Sequence, residues 1–97
     1  MRTKDYILPI LRHLKTEIQA TYKVKELGVF GSVMRGEEGQ NSDIDVLVEF
    51  REDASLFDLV GLALFLEEKL NRKVDVVSKR ALRAEIREAV LREVAAV

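Results

Sequence analysis

Asp43-Ile44-Asp45-Val46-Leu47-Val48-Glu49-Phe50 is the stretch on which the reading of this chain turns. Its apolar, β-branched residues predict a strand. Aspartate, however, is depleted from strands, and an unpartnered buried carboxylate is costly. Strand side chains alternate in direction, so Asp43 and Asp45 share one face, while Ile44, Val46 and Val48 share the other, where a core takes them. A second such acid lies downstream, Asp75 inside Val74-Asp75-Val76-Val77. If these two strands are neighbours, three carboxylates converge. Hard oxygen donors gathered this way suit Mg²⁺, which keeps other positions for water and substrate phosphates. Two such ions, roughly 3.5–4 Å apart, stabilise both attacking and leaving oxygens in a displacement at phosphorus. Each acid taken singly is as readily structural, Asp43 beginning a strand after a turn, Asp75 pairing with Lys73 or Arg72. Their combination favours chemistry.

Upstream, Phe30-Gly31-Ser32 closes an apolar run that starts at Val24. Glycine lets a backbone approach a ligand closely, and free N–H groups at a helix start favour anions. The Ser32 hydroxyl adds a donor, and Arg35, one turn on, is within reach of a phosphate. A lone Gly-Ser more often marks only a turn. Gly31 and Gly36 have P-loop spacing, but Glu37-Glu38 stand where Lys and Ser/Thr are required. The segment from Val33 to Ser42, with Gly36, Gly39, Asn41 and Ser42, reads as a short helical turn and loop. It is long enough to bring Asp43 back beside the first strand.

Working outward, apolar residues at Ile7, Leu11, Leu14, Ile18 and Tyr22 predict an amphipathic helix with Thr3 as N-cap. Pro9 requires that this helix begin near Leu8 or bend in its first turns. Ser55 predicts the cap of a helix over Leu56 to Leu70 that stops at Asn71. Lys73 to Ser78 reads as a strand, and Ala81 to Ala96 as a last helix with Leu82, Ile86, Ala89, Val90 and Val94 on one side. The expected order is α-β-α-β-α-β-α, an α/β fold of one domain over residues 1–97. The direction of the first strand pair stays open between antiparallel and mixed.

The totals narrow the field. A net charge of −1 gives no broad electrostatic grip on nucleic acid or membrane. The absence of cysteine excludes thiolate metal sites and disulfide frameworks. No signal-like or membrane-length apolar run occurs, so the expected setting is the cytoplasm. Lys79, Arg80, Arg83 and Arg87 read as a solvated basic face, and His13 as a surface residue.

The combined string Phe30-Gly31-Ser32-Val33-Met34-Arg35-Gly36 and Ser42-Asp43-Ile44-Asp45-Val46-Leu47-Val48-Glu49-Phe50 resembles the minimal nucleotidyltransferases of the DNA polymerase β-like superfamily. Ser55-Leu56-Phe57-Asp58-Leu59 and Arg72-Lys73-Val74-Asp75-Val76-Val77 extend the resemblance over essentially the whole chain. Met34 departs from the alanine common there. The resemblance implies the polymerase β-like nucleotidyltransferase fold, a small mixed sheet with helices packed on it. It implies Gly31 and Ser32 holding a triphosphate, Asp43 and Asp45 as Mg²⁺ ligands, and Asp75 as third carboxylate, helping to deprotonate the acceptor hydroxyl. The implied reaction is adenylyl transfer from ATP, with pyrophosphate released, onto a HEPN-type toxin whose antitoxin this chain would be.

A chain this short is expected to use a second molecule to complete its site. The helix from 56 to 70 carries Leu56, Leu59, Val60, Ala63, Leu66 and Leu70 on one face, and Phe57, Leu62, Leu64 and Phe65 besides. That surplus suits either a partner protein or a second copy, or a wide face sunk into a small core. Two further functions compete with the enzyme. One is a binding module that neutralises its partner by contact, and the other is nucleotidyl transfer to RNA or a small molecule. The near-neutral charge weakens the RNA version.

Overall fold

The computed structural model describes residues 2–37, 39 and 42–97. Glu38 and Asn41, both weighed in the sequence reading, lie outside the described residues. The elements are α1 (Thr3–Tyr22), β1 (Val24–Phe30), α2 (Ser32–Arg35), β2 (Ile44–Phe50), α3 (Leu56–Leu70), β3 (Val74–Ser78), a 3₁₀ turn (Lys79–Ala81), α4 (Ala84–Glu93) and β4 (Ala95–Ala96). The four strands lie in the order β3-β2-β1-β4. β1 pairs antiparallel with β2 and β4, while β2 and β3 run parallel. The sheet is therefore mixed, and α3 provides the crossover that a parallel pair requires.

Alternation along β2 decides the layers. Ile44, Val46 and Val48 are fully buried against Val29 of β1 and the inner faces of α1 and α3, which contribute Ile7, Leu11, Ile18, Leu62 and Leu66. Both helices thus cover one face of the sheet. The opposite face carries Asp45 and Asp75, and Leu91 and Val94 lie beside Leu47 on that side, whereas Val97 packs against the core under α1.

The cap of α1 differs from the expected one. Arg2, not Thr3, is the N-cap, because the Asp5 carboxylate accepts the Arg2 backbone N–H at 3.1 Å and sets the first turn one residue earlier. The helix runs through Pro9 from Thr3 and does not wait for Leu8. Pro9 is exposed, so water can serve the carbonyl left without its N–H partner.

α3 keeps its expected bounds. Ser55 and Asp58 bond at its start, the Ser55 N–H donating to the carboxylate at 2.8 Å, and Asn71 ends it in the left-handed region at φ 53°. Its buried face is Leu62, Leu66 and Leu70, with Leu59, Ala63 and Phe65 half-buried. The sequence groups Leu56 and Val60 on one apolar face with Leu66 and Leu70, but only the latter two are buried. Leu56 and Val60 lie exposed with Phe57 and Leu64, Phe57 at 89%. Equal hydrophobicity on two sides leaves the period unable to choose between them.

The last helix is shorter than expected. α4 ends at Glu93, and Ala95 and Ala96 form β4 against Val29 and Gly28. Alanine favours helix intrinsically, but the open edge of β1 offers backbone partners, and Gly28 lets the tail approach. A Cβ there would stand 2.6 Å from Val94 Cγ2 and 2.7 Å from the Ala95 carbonyl oxygen. Val97 N–H also donates to Leu27 O at 3.0 Å, and Lys15 Nζ to Val97 O at 2.9 Å. Of the side expected to be apolar, Val90 is buried, whereas Ile86 and Ala89 are exposed. His13 is exposed, as expected.

Candidate active site

Parallel pairing of β2 with β3 puts Asp45 and Asp75 in direct register. Cross-strand partners share a face, so the adjacency on which the sequence reading depended is present. Asp43 precedes the strand by one residue and is exposed. Its backbone is held from both sides. Arg72 Nη2 donates to Ser42 O at 2.8 Å, and Ile44 N–H donates to Lys73 O at 2.9 Å.

Asp45 is the half-buried member of the three. Burial first, then the charges of Asp75 and Asp43, push its carboxyl above the ordinary 3.8, with Arg35 opposing and Glu93 adding to the rise. The negative charges are thus close enough to feel one another. Among the described residues, no group of three acidic, histidine or cysteine side chains is already gathered as a metal cage. What the fold brings together is a register pair with Asp43 coupled to it.

The Gly31 turn abuts the same end of β2, since Phe30 is the register partner of Asp45. Gly31 has φ +80°, and a Cβ there would lie 2.1 Å from Asp45 Oδ2. Only glycine meets both demands, a left-handed backbone and contact with the acid. Met34 and Arg35 N–H groups bond back to Gly31 O at 3.0 and 3.2 Å, forming the first turn of α2. Among the described residues, no acceptor meets the N–H groups of Ser32 and Val33 or the Ser32 hydroxyl. Those donors stand ready for an anion.

Arg35, expected to reach a phosphate, is engaged with acids of this chain. Its Nε donates to Glu37 at 2.9 Å, and its Nη1 donates to both Glu93 oxygens at 2.9 and 3.0 Å. Those partners, Glu37 first and then Glu93, raise its pKa above the usual value. Glu93 also accepts the Gly31 N–H. Sequence reading missed Glu93 altogether. It is one glutamate among several in α4, and nothing in local pattern separates it from Glu85 or Glu88.

Comparisons with known proteins bear on the family and the fold. Residues 11–97 match the profile of the nucleotidyltransferase domain family. The chain is 44% identical over 94 residues to the protein adenylyltransferase MntA of Thermococcus cleftensis, covering 97% of this chain and 95% of that one. Among solved structures, a proposed minimal nucleotidyltransferase superposes with a TM-score of 0.81 at 40% identity, covering 98% of this chain and 95% of the other. A toxin–antitoxin complex with AMP-PNP gives a TM-score of 0.68 at 25% identity, over 96% of this chain and 70% of that one. No helix among the described residues is long and apolar enough to cross a membrane.

Proposed function

The chain belongs to the nucleotidyltransferase domain family, and on that premise we propose that it transfers AMP from ATP to a hydroxyl of a partner protein. The partner proposed is a HEPN-type toxin, with this chain as its antitoxin, acting in the cytoplasm as one minimal catalytic domain over residues 1–97. The observation that carries the reading is the convergence at one sheet end of Asp45, its register partner Asp75 and the Gly31-Ser32 turn. The 44% identity to an adenylyltransferase and the likeness to a nucleotide-bound toxin–antitoxin complex support it.

The donor set suits Mg²⁺. It consists of carboxylate oxygens, exposed at Asp43 and Asp75 and half-buried at Asp45, where the other two charges are felt. This ion takes such donors while keeping positions for phosphates and water. Asp43, Asp45 and Asp75 would hold it, and bound there it supplies compensation for charge building on the phosphate oxygens. The chain's own groups do the rest. Ser32, through its hydroxyl and N–H, and the Val33 N–H bind the triphosphate, and Arg35 adds charge. Asp75 accepts the proton of the acceptor hydroxyl. The acceptor oxygen bonds to the α-phosphorus, the bond from that phosphorus to the β-phosphate bridge breaks, and pyrophosphate leaves.

A contact-only antitoxin is the second reading, favoured by one observation: Leu56, Phe57, Val60 and Leu64 form an exposed apolar stripe on α3. Such a stripe suits a partner protein or a second copy of the chain. ATP labelled at the α-phosphate, incubated with Mg²⁺ and the candidate toxin, separates the two. Label on the toxin that disappears with Asp43→Ala or Asp45→Ala supports transfer. Neutralisation of the toxin undiminished by both substitutions supports contact alone.

A further inference from the structure

Glu93 joins two groups that the proposed chemistry needs and that no local sequence feature ties together. One carboxylate accepts the Gly31 N–H and also bonds Arg35 Nη1 through both of its oxygens, at 2.9 and 3.0 Å. Both bonds to the arginine come from the single nitrogen Nη1, so it is the simultaneous hold on the Gly31 N–H and on Arg35 that fixes the carboxylate's direction. The geometry points to Glu93 as a positioning residue for the phosphate site, a strut that sets the turn and the arginine relative to each other. This inference rests on the reading of Gly31-Ser32 as the triphosphate turn.

A strut has to be anchored, and this one is. Glu93 closes α4, whose Val90 is buried, and two residues later Ala95 and Ala96 pair with Val29 and Gly28. Its own side chain is only 25% exposed. By contrast, Glu37, the other acid on Arg35, is 63% exposed and belongs to the loop. The bond from Gly31 to Glu93 consumes a donor that lies before α2, and it leaves the Ser32 and Val33 N–H groups without an acceptor among the described residues. Arg35 is held through Nη1 and Nε, and Nη2 has no bond among the described residues. A guanidinium carries a fork of donors and can keep one carboxylate while meeting a phosphate with its other edge. The end of α4 thereby reaches a turn 62 residues earlier in the chain.

The test is a double-mutant cycle on MgATP affinity in the full chain, read by titration calorimetry, using Glu93→Ala, Arg35→Ala and both together. Each single substitution is expected to weaken MgATP binding by about tenfold, and the double by little more than either, because the two residues act as one unit. Glu93→Gln keeps the shape and one acceptor oxygen. It is expected to weaken binding in the same direction, and it stands in if Glu93→Ala fails to fold. Glu37→Gln is expected to change affinity by less than threefold. Tighter MgATP binding in Glu93→Gln would overturn the strut and make Glu93 a plug that nucleotide displaces. Additive losses in the double variant, or a Glu37→Gln effect as large as that of Glu93→Gln, would overturn it as well. If the unsubstituted chain binds no MgATP, the triphosphate reading itself fails, a result distinct from binding that ignores Glu93.

Discussion

Asp45 and Asp75 face each other across a parallel strand pair, with Phe30, the residue before the Gly31 turn, opposite Asp45 on its other side. Two carboxylates held in register repel, and the raised pKa of Asp45 records that repulsion on top of its partial burial. In the metal-free chain the folded state therefore binds a proton at Asp45 more readily than the unfolded state does. Stability falls as pH rises through the raised pKa, and the penalty is absent below the ordinary value of 3.8. Asp45→Asn is expected to raise the metal-free melting temperature at pH 7 while abolishing nucleotidyl transfer. The gain should shrink as the pH is lowered toward that ordinary value. A melting temperature at pH 7 equal to or below that of the parent chain would count against the like-charge site.

Gly31→Ala tests the turn. The substitution forces a side chain into φ +80° and sets a Cβ 2.1 Å from Asp45 Oδ2. A strained left-handed residue costs about 1–3 kcal/mol, so urea denaturation should show a loss of that order. MgATP binding should be lost along with it. Gly36→Ala makes the comparison. That position is also at positive φ, 72°, but a Cβ there meets nothing within 4 Å. It should show the backbone cost without the loss of nucleotide.

Gly28→Ala acts from a distance. The added methyl collides with the Ala95 carbonyl, which is backbone and cannot step aside cheaply. Overpacking of this kind costs about 1–3 kcal/mol. The displaced tail should carry Glu93 with it. Weaker MgATP binding is expected in a variant whose changed residue touches none of the acids. Hydrogen exchange at Val97 N–H, bonded to Leu27 O at 3.0 Å, would report whether the tail has loosened.

The acids and the turn are legible in sequence because they contradict their surroundings. Aspartate inside Val-rich runs and a Gly-Ser closing a strand are local anomalies, and local anomalies survive without a structure. Ser55, Asn71 and the core positions Ile44, Val46 and Val48 are legible for a similar reason, each following from one short-range rule. Glu93 is different. Its role comes from contacts with Gly31 and Arg35 at separations of 62 and 58 residues, and a solvated helix glutamate has the same signature. β4 is hidden too, since Ala95-Ala96 favours helix until the edge of β1 and the bare Cα of Gly28 are beside it. The two faces of α3 illustrate a third limit. Leucines on both sides leave only packing to say that Leu62 goes in and Leu56 stays out.

That outer stripe gives a prediction opposite in kind to a core substitution. Phe57→Ser with Leu64→Ser removes apolar surface that is 89% and 63% exposed. Stability should stay within about 0.5 kcal/mol of the parent chain, whereas Leu66→Ala, from a fully buried site, should cost about 2–5 kcal/mol. MgATP affinity should also be unchanged in the stripe variant. Binding to the candidate toxin, or self-association in sedimentation, is expected to fall. Sedimentation and toxin capture identical to those of the parent chain would remove the stripe from any interface.

The most direct measurement is the intact mass of the candidate toxin after incubation with this chain, ATP and Mg²⁺. The expected result is a toxin heavier by one or more adenylyl groups. No addition is expected with Asp43→Asn/Asp45→Asn, a variant that should still fold and still bind the toxin. Adenylyl groups added equally well by that double variant, or a toxin neutralised by the parent chain with its mass unchanged, would contradict transfer at Asp43, Asp45 and Asp75.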